Sequence, residues 1–213
     1  MAVKLYEEIL DVMSESEKQQ NLLQLSHLYL LTNQEAKELE LLNKIVANKK
    51  NKYSKLLSAQ AHSNLGDHWF RKANVLKARE HFQKALTAKD NPRRGYVMYR
   101  LAWCLFNQNE VAKAQSLLRE ILHSQKLLGI RTTSGQSPKP EPEPAAYSIS
   151  SSFQEDVAHD LATFLTRSKP TQKQIAELAA LSPVEARIDI LTYLAGEFDR
   201  LGKKKEALLV WQL

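Results

Sequence analysis

The sequence predicts an all-α fold, a right-handed α-solenoid of antiparallel helix pairs, on three observations. Apolar residues recur at the helical period along the chain. The stretch HSNLGDHWFRKANVLKAREHFQKAL, His62 to Leu86, sets small residues among large ones, as two helices do where their backbones come close. Outside one insert, that hairpin recurs at spacings of 33 to 40 residues, the mark of stacked helix pairs. About ten or eleven helices and no sheet are expected from such an array.

The elements follow in order. Ala2, Tyr6 and Ile9 fit the second helix of a repeat whose first helix is absent. Leu25, Ser26 and Tyr29, then Glu38, Leu42 and Ile45, make the first full hairpin. In the second, Leu65, Gly66 and Trp69 share one helix face, and Ala78, Phe82 and Ala85 share a face of the partner helix. The segment from Arg71 to Leu76, with Asn74 inside it, is too short for an element and reads as a tight turn. Glycine in a helix interior costs about 1 kcal/mol relative to alanine, so Gly66 needs a reason such as close packing. Leu101, Ala102 and Leu105 with Ala114, Leu118 and Ile121 form the third hairpin. Leu161, Ala162 and Leu165 with Gln174, Leu178 and Leu181 form a weaker fourth. Leu194, Ala195 and Phe198 with Ala207 and Trp211 open a last, partial one. The array thus divides into residues 1–123 and 153–213 around a Pro/Ser-rich insert at 124–152. Neither end carries the polar cap that shields a terminal apolar face, so the chain reads as a piece of a longer array.

At these positions the sequence resembles the tetratricopeptide repeat. His62, Leu65, Gly66, Trp69, Ala78, Phe82 and Ala85 carry the resemblance, with His62 standing where an aromatic or aliphatic residue is usual. Glu38 and Gln174 depart from it at the second helix's small position. HDLATFL and YLAGEFDRLGKKKEAL are more loosely similar to long repeat proteins of bacterial cell envelopes. That likeness implies a periplasmic or envelope location, with a cytoplasmic one as the alternative.

Composition bounds the function. With 43% apolar and 25% charged residues, the 213-residue chain can bury a substantial core. No run reaches the roughly 18 apolar residues that span a bilayer, so no membrane insertion is expected. The net charge of +6 comes partly from KKNKYSK, Lys49 to Lys55, and KKK, Lys203 to Lys205. Both fall at inter-helix turns, where solvated cations are expected, and acidic residues interleave elsewhere, which argues against nucleic acid. Cys104 lies between Trp103 and Leu105 on an apolar helix and reads as a small core residue.

An enzyme is not expected. Among six histidines only His159, with Glu155, stands at metal-compatible i, i+4 spacing, and no second ligand pair accompanies it. No phosphate loop, nucleophile elbow or paired-cysteine motif is present. Neither a catalytic residue, a metal nor a cofactor is assigned.

What remains is a protein-binding scaffold. The resemblance implies that the first helices line a concave groove with the face opposite their packing stripe. In the third hairpin that face carries Tyr96, Tyr99, Trp103 and Phe106, while Val97, Met98, Leu101, Ala102 and Leu105 pack. The second hairpin adds Ser63, Asp67, Phe70 and Arg71, the first adds His27, Leu30 and Leu31, and the fourth adds Asp156, His159, Thr163, Thr166 and Arg167. Ser63 and Asp67 replace the basic and asparagine set that chaperone-binding relatives use for a C-terminal carboxylate. Arg71 and Arg167 remain for acidic or carbonyl groups. The expected function is a non-catalytic scaffold binding a protein or peptide segment, the alternative a peptide-sensing domain attached to an output domain. The insert, with four of the seven prolines in PKPEPEP, is either a linker or an internal ligand of the aromatic face, laid down between Gly129 and Ser152.

Overall fold

The computed structural model describes residues 2–47, 52–129 and 151–213, and among these it holds eleven α-helices and no strand. The segment at 130–150, expected as a linker or internal ligand, and Lys49 to Asn51 of the basic turn lie outside the described residues. The chain forms two compact units, residues 1–104 and 105–213.

In the first unit α1 (Ala2–Val12) packs on α2 (Glu15–Leu31), which pairs with α3 (Glu35–Ala47). Next come the tightly paired α4 (Lys55–Arg71) and α5 (Val75–Ala85), with α3 and α2 both against α4. The helix α6 (Arg94–Asn107) follows, its last turn belonging to the second unit. Ser14 caps α2 by accepting from the Glu17 amide while Glu17 accepts from the Ser14 amide, satisfying two orphan donors together. Ser54 and Asn74 cap α4 and α5 with their side-chain oxygens. Leu42, Ile45, Leu57, Ala61 and Leu65 form one buried cluster, and Val3, Leu10, Leu25 and Tyr29 another.

Gly66 has the reason the sequence demands. A Cβ built on it would stand 2.5 Å and 2.6 Å from two ring carbons of Phe82, which is fully buried on α5. Only a residue without a side chain lets the two helices approach this closely.

In the second unit α7 (Val111–Leu122) packs on α8 (Ser151–Leu165). That helix contacts both α9 (Gln172–Leu181) and α10 (Arg187–Arg200), and α11 (Lys204–Trp211) covers α10 and α9. Val157, Leu161, Phe164, Ile175, Leu178, Leu194 and Phe198 fill its interior.

Four inter-helix turns repeat one geometry. Asn33, Ala73, Asn109 and Gly202 all have positive φ, between 56° and 71°, and each lies four residues beyond Tyr29, Trp69, Leu105 or Phe198. The next amide reaches back five residues to the carbonyl of that large residue: Gln34 to Tyr29 at 2.8 Å, Asn74 to Trp69 at 2.9 Å, Glu110 to Leu105 at 2.9 Å and Lys203 to Phe198 at 2.8 Å. This left-handed cap satisfies carbonyls that the helix end leaves open. The α8–α9 connection departs from it and carries Pro170 instead. There carbonyls at and just beyond the end of α8 are met from outside. Gln115 Nε2 donates to the Phe164 carbonyl at 3.0 Å, and Lys203 Nζ to those of Thr166 at 2.5 Å and Ser168 at 3.2 Å. Lys203, expected as a solvated turn charge, is half-buried and serves as this cap.

Other expectations shift by a residue or two. On α1 the buried residues are Val3 and Leu10, with Ile9 exposed, because Tyr6 turns toward α2 to donate to Asn21 and Gln24. Gln174 spends its side chain on a capping box with Thr171, so Ile175 fills the place in the core. Trp211 is 59% exposed, and Val210 is the buried partner of Ala207. Glu38 stands in its small-residue position fully surrounded, facing His68 Nδ1 at 3.5 Å and Arg71 at 3.6 Å. Cys104 is in the core as expected, and burial pushes its thiol up to about 12.

Ala73 adopts a backbone conformation that costs a residue with a Cβ about 1 kcal/mol or more. Ala73→Gly should therefore stabilise the chain by about 0.5 kcal/mol after the added freedom of the unfolded chain is counted. Ala73→Val should destabilise it. Chemical denaturation of the two variants checks the order; equal midpoints would contradict the turn geometry.

Candidate functional site

The first-helix face of the first unit is built around Asp67. This carboxylate sits one residue beyond Gly66 on α4 and is largely buried. Its Oδ1 accepts from Tyr96 Oη and from Arg100 Nε, each at 3.0 Å, and Arg93 approaches Oδ2 at 3.6 Å. Arg93 also donates to Asn64 Oδ1 at 3.0 Å. The guanidinium of Arg100 lies 4.0 Å above the Phe70 ring, and that of Arg93 lies 4.7 Å from the centre of the Tyr96 ring. Asp67, Asn64 and Phe70 of α4 are thereby tied to Arg93, Tyr96 and Arg100 at α6, a network that fixes where the aromatic side chains stand.

Around this network the expected groove residues are distributed unevenly. Tyr96, Tyr99 and Trp103 are half-buried on α6 in the first unit, rather than forming an open apolar patch. His27 is exposed on α2, Leu30 is half-buried, and Leu31 is 65% exposed. Ser63 is buried and donates to the Ala59 carbonyl, which takes it out of any binding face. Arg71, whose side chain is 42% exposed, reaches the buried Glu38 carboxylate at 3.6 Å and also acts on the charge of Glu35.

Phe106, at the other end of the expected stripe, belongs to the second unit. Its ring stacks on Phe164 at 4.0 Å and 5°, with the Arg167 guanidinium 5.4 Å from it. In the same unit His159, expected at a groove position, stacks on Tyr193 at 4.2 Å, and Thr163 meets the Tyr193 hydroxyl at 3.1 Å. Thr166 is buried and donates to the Thr163 carbonyl. Asp156 and Arg167 are exposed.

Two side chains central to the face, Arg93 and Arg100, are not evident from sequence because the packing stripe and the aromatic stripe of α6 flank them. The available signal was Asp67, a carboxylate facing Arg100 on α6 and Arg93 just before it.

Open clefts lie elsewhere. One, of about 560 Å³, is lined by Asn33 to Lys37 at the α2–α3 turn. Another, of about 460 Å³, lies beside α4 and the end of α5 and includes His62, Ser58, Thr87 and Asp90. Neither is lined by the groove residues.

Residues 73–126 match the tetratricopeptide repeat family model. The chain is similar in structure to a candidate kinesin light chain of Podosopora anserina, whose repeats are described as nearly identical and TPR-like. The match has a TM-score of 0.56 and 18% identity, and covers 94% of each chain. A singly substituted form of the same protein gives a TM-score of 0.54 and 17% identity, again covering 94% of each chain. At these identities the likeness speaks for the fold: an all-helical array of TPR-like helix pairs. No curated protein sequence matches the chain significantly. Tetratricopeptide repeats generally mediate protein–protein interactions and are typically non-catalytic scaffolds.

Asp67 holds two guanidinium groups that are themselves mostly buried. Asp67→Ala should cost about 2 kcal/mol, and Asp67→Asn less, since the amide oxygen still accepts. Urea denaturation with the two variants side by side tests this; a cost under about 0.5 kcal/mol for the alanine would mean the network holds nothing in place.

Proposed function

We propose that the chain is a non-catalytic interaction scaffold whose first unit holds an extended protein segment along the first-helix face. The residues engaged are His27, Leu30, Phe70, Arg71, Tyr96, Tyr99 and Trp103. Phe106 is left out, because its ring is stacked on Phe164 in the second unit. The observation that carries the reading is Arg71. It is an accessible guanidinium beside an apolar and aromatic face, and its contact with the Glu38 carboxylate, at 3.6 Å, is longer than a strong charge-assisted hydrogen bond. A partner segment with an acidic group for Arg71 and an apolar or aromatic anchor beside it fits this face. The looser similarity of the C-terminal segment to envelope repeat proteins supports a place in a bacterial envelope assembly.

Selection of a displayed peptide library on the full chain should return acidic sequences with one aromatic or aliphatic anchor. Arg71→Glu should abolish their binding, and Trp103→Ala should weaken it at least tenfold, as hot-spot truncations do. The same substitutions applied to a pull-down identify the natural partner. Selected peptides that bind both variants as well as the parent would overturn the assignment of this face.

A further inference from the structure

On the other side of α4, two imidazoles meet. His62, four residues before Gly66, and His81, next to Phe82 on α5, bring their Nδ1 atoms to 3.0 Å, with ring centres 5.2 Å apart and planes inclined by 42°. Both rings are half-buried, and the helices that carry them are locked together by the close contact of Gly66 with Phe82. We propose that His62 and His81 form a bis-imidazole site for a divalent transition metal of tetragonal preference, Cu²⁺ first and Ni²⁺ second, completed by water from the adjoining cleft.

The distance favours one class of metal once each ring turns its Nδ1 from its partner toward the cleft. Two metal–nitrogen bonds of about 2.1 Å whose nitrogens lie 3.0 Å apart enclose an angle of about 90°. That is the angle between neighbouring positions of a square-planar or tetragonal ion, whereas a tetrahedral ion such as Zn²⁺ requires a wider one. Imidazole suits Cu²⁺ and Ni²⁺, and Cu²⁺ heads the affinity order among the first-row divalent ions.

The protons allow it. At a 3.0 Å contact one ring donates its Nδ1 hydrogen to the other. For both Nδ1 lone pairs to reach a metal, that single hydrogen moves to Nε2 of its own ring, and no proton leaves the protein. Burial, then the charge of His81, lowers His62 to about 4, and burial with the charge of Lys84 lowers His81.

Access and charge set the remaining terms. His62 lines the cleft of about 460 Å³, which leaves room for coordinated water and holds the Asp90 carboxylate on its wall. Lys84 also lines the cleft and opposes a cation, but it is paired with Glu80 at 2.6 Å, which offsets its charge. Lys55 and Lys89 are exposed on the same rim and are screened by solvent. Linear spacing hides the pair, since its members are 19 residues apart on different helices.

The test titrates the full chain, stripped with chelator, with Cu²⁺ alone at neutral pH. One equivalent should bind well above the background of the other histidines, giving a tetragonal electron paramagnetic resonance signal split by two nitrogens and a raised thermal midpoint. His62→Phe, which restores the aromatic residue usual at this repeat position, and His81→Gln should each lower the affinity at least tenfold and remove the two-nitrogen signal. Circular dichroism confirms that each variant is folded, and one folded variant is enough to decide the matter. No binding above that background, or the same signal and affinity in a folded variant, would overturn the site.

Discussion

The backbone of α4 at Gly66 and the ring of Phe82 on α5 contest one small volume, and their resolution governs the whole first unit. Because Gly66 has no side chain, the ring fits against the helix and the pair closes to its tightest spacing. Contacts on both sides of α4 flank that close approach. One turn earlier, His62 meets His81. On the opposite face Asp67 and Phe70 are met by Arg100, and Asp67 again by Tyr96. A single absent methyl group thus lies between the candidate face and the histidine pair, in an interior of the kind that transmits strain.

The hairpin turns show a second economy. One left-handed residue and one five-residue amide contact serve four turns with four different local sequences, and only the glycine at 202 and the asparagines at 33 and 109 favour that conformation intrinsically. Ala73 adopts it because the packed α4–α5 pair dictates where the chain must go. Where Pro170 takes the place of this turn, carbonyls at and beyond the end of α8 also accept from Gln115 on α7 and from Lys203 just before α11, so long-range contacts are added to the local turn.

How much was legible follows from the same physics. The helix pairs were readable because helical periodicity and the small–large alternation at Gly66, Ala78 and Ala85 are local signals. Periodicity misplaces the second-helix positions Gln174 and Trp211 because capping and exposure at an element's end override it, as the Thr171 capping box shows. On the candidate face, Phe70, Arg71, Tyr96 and Trp103 could be placed by register. The arginines that tie α6 to Asp67, and the stacking of Phe106 on Phe164, could not, because each is set by which helix lies opposite. His62 carried a faint signal as a polar residue in an apolar repeat position, but its partner is visible only in three dimensions.

The most direct test of the interlock is a double-mutant cycle of Gly66→Ala and Phe82→Leu, followed by urea denaturation. On helix propensity alone Gly66→Ala would stabilise by about 1 kcal/mol. With the ring in place, overpacking should outweigh that gain and leave the variant less stable by about 1 to 2 kcal/mol. In the Phe82→Leu background, where the ring is gone, the same substitution should become neutral or stabilising, a coupling of at least about 1 kcal/mol. If Gly66→Ala stabilises the parent, or if the two substitutions add to within about 0.5 kcal/mol, the close approach of α4 to Phe82 is not the constraint on which the unit is built.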